Sequence, residues 1–288
     1  MSYPNRYMLL KEIKRVLLHI RFPLQAYTSL GFLFGLLIAQ VPISIKVFWA
    51  FLSWFLLWAG VTVFNSYYDK DKMPVAGLRR PPKVAESMFI GSLVLKISGL
   101  IIAFWINFFF LLLYIIITLL SILYSHKYFR LKSNAFIALF FNFIAGFATF
   151  FAAASLSNTI LTLPNIIGAI SAGLFLVAIY LMMQIHQVKE DKARGDISYT
   201  VRFGRSITLK TAFIIMLIAG VLGLATFYIA SLVVYVIIIL LYLIIGSILL
   251  LLWIKNKNKR LDYDTMSKVT NYFSFTGNLL LLILYFFL

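Results

Sequence analysis

The sequence predicts an all-α, polytopic membrane protein with nine transmembrane helices, forming a single domain over residues 1–288. Three observations predict it. Of the 288 residues, 62% are hydrophobic and only 12% charged, where a soluble domain runs nearer half and a quarter. The apolar residues fall into runs of about 20, the length a helix needs to cross a bilayer. The basic residues fall almost entirely in alternate loops between those runs. Together these exclude a cytosolic enzyme, a disordered chain and a secreted disulfide scaffold, and the chain has no cysteine.

The elements follow in order. Residues 1–21 are polar and basic, with Leu9, Ile13, Leu17 and Ile20 on one helical stripe. No short apolar segment with a cleavage site follows, so residues 1–22 read as a helix lying in the membrane interface. Spans are expected at 24–41, 44–64, 86–105, 107–124, 135–155, 165–186, 209–230, 232–253 and 268–287. Residues 86–124 would serve as one long helix, but Asn107 breaks the run and makes two spans of it. Phe108, Phe109 and Phe110 read as wall facing lipid.

The 26 Lys and Arg against 9 Asp and Glu give a formal charge of +17. Nucleic acid is one explanation of such a balance. The stronger one is the excess of Lys and Arg in cytoplasmic loops. All the basic residues except Lys46 and Lys96 fall in one alternating set of loops. This places the N-terminus in the cytoplasm and Leu288 on the far side, and it favours an odd number of spans. Lys96 lies inside a span, where a charge is costly unless it faces a cavity or snorkels. The composition suggests a prokaryotic plasma membrane.

Loops on the far side, 155–164 and 228–231, are short and plain. Two cytoplasmic loops, 65–85 and 184–210, are long and carry five of the nine acids. The first runs Asn65-Ser66-Tyr67-Tyr68-Asp69-Lys70-Asp71 straight off an apolar helix. Asn65 and Asp69 are four apart, so a continuing helix stacks them on one face. Two oxygen ligands there suit Mg²⁺, which completes its octahedron with water and phosphate oxygens. The second cluster contains Glu190, Asp191 and Asp196, with Lys189, Lys192 and Arg194 beside them. Two acidic clusters with cations beside each fit a metal-bridged diphosphate. Gly77 and Gly195 read as turn formers, and Asn142 and Gln184 as hydrogen-bonding glue between helices.

With these residues in view, the chain resembles the UbiA-type intramembrane prenyltransferases over essentially its whole length. Asn65 and Asp69 match the first and third elements of that family's N-D-x-x-D-x-x-x-D motif. Arg80-Pro81 falls at its Arg-Pro pair, and Leu123-Tyr124-Ser125 with Arg130-Leu131-Lys132 resembles its L-Y-S…R-L-K stretch. Asp191, Gly195 and Gly204 match its D-x-x-x-G…G spacing. Ser66, Met73 and Gln187 stand where the motifs carry Asp, and Asp71 lies two residues before the closing position of the first.

The resemblance implies Mg²⁺-dependent transfer of a prenyl group from an isoprenyl diphosphate to a lipophilic acceptor, aromatic or a quinone precursor, at the cytoplasmic face. Asp69 and Asp191 are then the central catalytic carboxylates. Asn65, Asp69 and Asp71 would hold one Mg²⁺, and Asp191 with Glu190, Asp196 or Gln187 a second. Arg80, Arg130 and Lys132 would grip phosphate, with Arg79 a further candidate. His186 is a candidate base. Tyr67, Tyr68 and Tyr124 would face the allylic cation, or else anchor at the membrane interface. Three rival readings share the composition: a terpene cyclase of the same family, an anionic-lipid transporter, and a membrane scaffold without activity. A transporter would place its binding residues near the bilayer midplane, and here the acids sit at helix ends.

Overall fold

A computed structural model describes residues 6–75, 77–255 and 263–288. Met1, the expected loop charges Lys257, Lys259 and Arg260, and the acid Asp262 lie outside the described residues. Those described form eleven α-helices, and strand pairing among them is limited to isolated bridges. The helices are α1 (Arg6–His19), α2 (Phe22–Ile38), α3 (Ile45–Asp69), α4 (Glu86–Ile106), α5 (Phe108–Ser125) and α6 (Ala135–Ala154). They continue with α7 (Leu163–Gln184), α8 (Val188–Arg194), α9 (Tyr199–Ile229), α10 (Val233–Lys255) and α11 (Tyr263–Phe286).

Each of the nine apolar runs coincides with a helix. Helices α3, α4, α5, α6, α7 and α9 are long and apolar enough to cross a membrane by length and composition. Phe22–Ile38 and Val233–Ile248 are apolar but shorter. The chain is therefore a multi-pass membrane protein with a broad lipid-ready exterior, on which Trp105 and Phe108 are each 79% exposed. Asn107 divides α4 from α5: its side chain accepts from Phe110 N–H at 2.8 Å and donates to the Ser155 carbonyl at 2.9 Å. Asn134 caps α6 by accepting from Phe136 and Ile137 N–H, and Pro23 and Pro164 sit in first turns, where no amide hydrogen is needed.

Three expectations need correction. The span expected at 209–230 belongs to a helix that begins ten residues earlier, at Tyr199. Helix α8 and the start of α9 thus turn most of the expected 184–210 loop into helix. The Phe108–Phe110 wall is split: Phe108 faces out, whereas Phe110 is fully buried, since three successive helical residues spread over more than half the circumference.

Close helix packing rests on small residues. A Cβ at Gly146 would lie 2.4 Å from the Ala172 carbonyl, and one at Gly35 would lie 2.4 Å from the Phe150 carbonyl. These contacts draw α6 against both α7 and α2. Buried Trp54 on α3 donates to Thr149 on α6 at 3.1 Å, and Phe34, Phe150 and Phe227 stack at the centre. The turns after α2, α6 and α9 gather at one end, where Gln40 donates to the Ala230 carbonyl at 3.3 Å. Both acidic segments and the Arg130–Lys132 turn gather at the other.

Candidate functional site

Helix α3 continues more than one turn past its apolar stretch, and so carries Asn65, Ser66 and Asp69 as helical side chains. Lys70, with φ 52°, ends the helix and turns the chain towards Asp71. Arg21 meets these turns from the entrance of α2. It lies in the left-handed region (φ 55°), is buried, and donates to Ser66 Oγ at 2.7 Å. Its guanidinium is also 3.6 Å from Asp71.

The second segment turns sharply after α7 and enters α8, which presents Asp191 inward. Gly195 closes α8 at φ 79°, a conformation open to glycine with little cost. It delivers Asp196 back beside Asp191. Ser198 Oγ donates to Asp191 at 2.8 Å. Arg194 donates from three nitrogens: Nη1 to Asp71, Nη2 to Asp191 at 2.8 Å, and Nε to Asp196 at 3.2 Å.

The turn after α5 locks onto both. Ile197 N–H donates to the Ser133 carbonyl at 2.9 Å, pairing this turn with the segment after α8. Arg130 (φ 39°) then donates to both oxygens of Asp196 at 2.9 Å and sits 3.5 Å from Asp69. Lys132 Nζ donates to Asn65 Oδ1 at 2.6 Å and also pairs with Asp69. Asn65 is steadied from below by Ser125 Oγ at 2.9 Å.

Asn65, Asp69, Lys132, Asp191, Arg194 and Asp196 line one cavity of about 220 Å³. Its inner wall is apolar and aromatic, formed among others by Trp58, Tyr124 and Tyr180. At Tyr27, Thr28 and Leu176 it meets a second, almost wholly apolar cavity of about 100 Å³ between α2, α7, α9 and α11. A charged chamber thus adjoins a hydrocarbon-lined one.

Electrostatics follow from burial. Burial pushes the Asp191 carboxyl above its ordinary value, against the pull of Ser198 and Arg194. Burial likewise lowers the Lys132 ammonium, against the pull of Asp69. The Asp196 carboxylate raises Arg130 further. Among the described residues no three acidic or histidine side chains stand together as a ready metal centre, and Asp69, Asp71, Asp191 and Asp196 are each paired with a cation. The donor chemistry nevertheless suits Mg²⁺ at one point. Asn65 Oδ1 and Asp69 Oδ1 converge on the Lys132 ammonium, a compact cation on two hard oxygens.

Of the residues expected from sequence, Asn65, Asp69, Asp71, Asp191, Asp196, Arg130 and Lys132 are brought into one network. Gln187 and Tyr124 line its cavity. Glu190 is instead turned onto the first segment, accepting from Lys72 N–H at 2.7 Å. Arg79 and Arg80 are exposed and do not line the cavity. Tyr68 stacks outside it on Phe64 and His126. His186 is set back between α7 and α8, where burial lowers it to about 4. Asn142 and Gln184, expected as glue between helices, line the cavity: Asn142 bonds to Ala138 of its own helix and across to Tyr124 of α5, and Gln184 to Tyr180 of its own helix. Arg21 and Arg194 were legible only as loop charges. For Arg21 the signal is its place directly before the Phe22-Pro23 helix start, and for Arg194 the glycine that follows it.

The model of the UbiA prenyltransferase family matches residues 29–280. A UbiA homologue from Archaeoglobus fulgidus bound to geranyl diphosphate (GPP) and Mg²⁺ superposes with a TM-score of 0.72 at 17% identity, covering 94% of this chain and 99% of that one. Its form bound to dimethylallyl diphosphate (DMAPP) and Mg²⁺ gives 0.73 at 17%, covering 95% and 100%. A digeranylgeranylglyceryl phosphate synthase gives 0.61 at 23%, covering 96% and 98%. No curated protein sequence matches the chain.

Proposed function

The chain belongs to the UbiA prenyltransferase family, and from that premise we propose that it moves a prenyl group from an isoprenyl diphosphate to a lipophilic acceptor within the membrane. The observation that carries this is the adjoining pair of cavities. A charged chamber of about 220 Å³ shares the wall residues Tyr27, Thr28 and Leu176 with an apolar one, an arrangement suited to an amphiphile with an anionic head and a hydrocarbon tail. The diphosphates and Mg²⁺ held by the Archaeoglobus structures are of that kind.

In this reading Asn65 and Asp69 hold Mg²⁺, which when bound neutralises the leaving diphosphate and eases ionisation of its bond to carbon. Lys132 then turns its ammonium from Asp69 to a phosphate oxygen, and Arg130 presents its fork to the same group. The C–O bond of the donor breaks, a bond to the acceptor forms, and the acceptor gives up a proton. Trp58, Tyr124 and Tyr180 supply aromatic faces to the allylic cation, while the apolar wall excludes water. The basic end of the bundle faces the cytoplasm of a plasma membrane, with nine crossings and the interfacial helix α1 beneath.

The test is diphosphate release from prenyl diphosphates of several lengths by the purified protein in Mg²⁺, with and without a lipid extract and with Asp69→Asn as control. Release that needs Asp69 and the extract supports transfer. Release that needs Asp69 alone favours the cyclase, and none at any length overturns both.

A further inference from the structure

The two segments of the site treat their cations differently. Lys132 is a single ammonium on Asn65 and Asp69, with a flexible stem that can swing aside. Arg194 is bound on all sides. Its three nitrogens meet three carboxylates: Asp71 from the segment after α3, Asp191 from α8, and Asp196 beyond Gly195. A planar guanidinium matched in this way is pre-organised, and letting go of it breaks three charge-assisted bonds at once.

The neighbouring residues agree with a site short of ligands for a second ion. Gln187, which lines the cavity, is neutral. Glu190 spends one oxygen, Oε1, on the backbone amide of Lys72, and its Oε2 is buried. Ser66 presents a hydroxyl rather than a carboxylate, and the Arg21 guanidinium bonds to it at 2.7 Å. Counted together, Asp69, Asp71, Glu190, Asp191 and Asp196 face Arg21, Arg130, Lys132 and Arg194, so the site is close to neutral before a ligand arrives. A diphosphate with one divalent ion is compatible with it. A second ion would have to displace Arg194 first.

We infer that the Arg194 guanidinium is a built-in cation standing in for a second divalent ion, so that the chain binds a single divalent ion, at Asn65 and Asp69. The inference rests on the proposed function and sets its metal requirement. Arg194 ties both acidic segments together permanently, a task otherwise left to a bridging ion. The exchangeable ion then acts only where Lys132 can vacate.

Mn²⁺ counted by equilibrium dialysis and by electron paramagnetic resonance on the purified full chain tests this, with and without inorganic diphosphate. Wild type is expected to bind one Mn²⁺ per chain and to show an isolated-ion spectrum. Arg194→Ala removes the cation shared by Asp71, Asp191 and Asp196 and is expected to bind two, with dipolar broadening from the close pair. Two ions in wild type, or one in both proteins, overturns the inference while leaving the prenyltransferase reading intact. No Mn²⁺ bound under either condition overturns both. Should the variant fail to fold, the wild-type count alone decides.

Discussion

At Asp69 the first segment meets its cations: Lys132 pairs with it, and Arg130 sits 3.5 Å away. Replacing the carboxylate by an amide keeps an oxygen but removes the negative charge that would hold Mg²⁺ and that pairs with Lys132. Asp69→Asn is expected to lower kcat/KM for diphosphate release by about 10²–10³, the scale of a lost transition-state electrostatic contact. Asp191 sets the acid limb. Burial holds its carboxyl above its ordinary value, so it takes up a proton at a higher pH than a free aspartate does and then loosens its hold on Arg194. Activity is therefore expected to decline, as pH falls, above the pH at which an ordinary carboxylate titrates, and a pH profile of kcat/KM reads this directly. His19 bears on stability instead. It is buried with Nε2 3.3 Å from the Pro82 carbonyl, and burial lowers it from 6.5 to about 4. The unfolded chain binds its proton first, so stability is full above about pH 6.5 and is lost as pH falls towards 4. Thermal unfolding in detergent should show this slope, and His19→Gln should flatten part of it.

Helix α9 carries its decisive feature inside itself. Gly204 has φ 81° and ψ 164° between helical neighbours, a combination essentially confined to glycine. The break lets Tyr199–Phe203 lie under the site while the rest of α9 packs along α7. No atom outside its neighbourhood obstructs a Cβ there, so a substitution meets backbone strain alone. Gly204→Ala is expected to cost about 1–3 kcal/mol, seen as a lowered midpoint in thermal unfolding. Gly195 has the same handedness at φ 79° and positions Asp196. The expected turn-forming roles of Gly77 and Gly195 fit their positive φ, whereas Gly204, expected in the 184–210 loop, sits at a kink inside α9.

Across the molecule, the charged and apolar chambers adjoin between elements from both halves of the chain. Gly223 lies on the apolar chamber, where a Cβ would sit 3.2 Å from Ser171 Oγ and a longer side chain would project into the space. Gly223→Leu is expected to reduce the preference for geranylgeranyl over geranyl diphosphate by about tenfold, since lost room for methylenes costs about 1–3 kcal/mol. The ratio of the two kcat/KM values checks it. The absence of cysteine makes orientation equally accessible. A single cysteine at Lys127, in the basic turn, is expected to resist an impermeant maleimide added outside intact cells. One at Ser157, in the opposite turn, is expected to react.

The apolar run lengths determined by themselves that the chain is a helical membrane protein, because spanning a bilayer requires about 20 apolar residues satisfying their backbone internally. The Asn65–Asp69 spacing determined that two ligands share a helical face, since that relation is local and depends only on the helix repeat. The motif order likewise pointed to Arg130, Lys132, Asp191 and Asp196. Which partner each acid receives was decided only by the tertiary structure. Arg194 reaches Asp71 across 123 residues of sequence and Lys132 reaches Asp69 across 63, and no periodicity encodes a meeting of separate segments. The same holds for Arg80, placed by its motif among phosphate ligands and by the fold in solvent, and for Glu190, a local member of an acidic cluster that the fold spends on a backbone amide. Helix character is a property of neighbours along the chain, whereas a binding site depends on how separate helices pack.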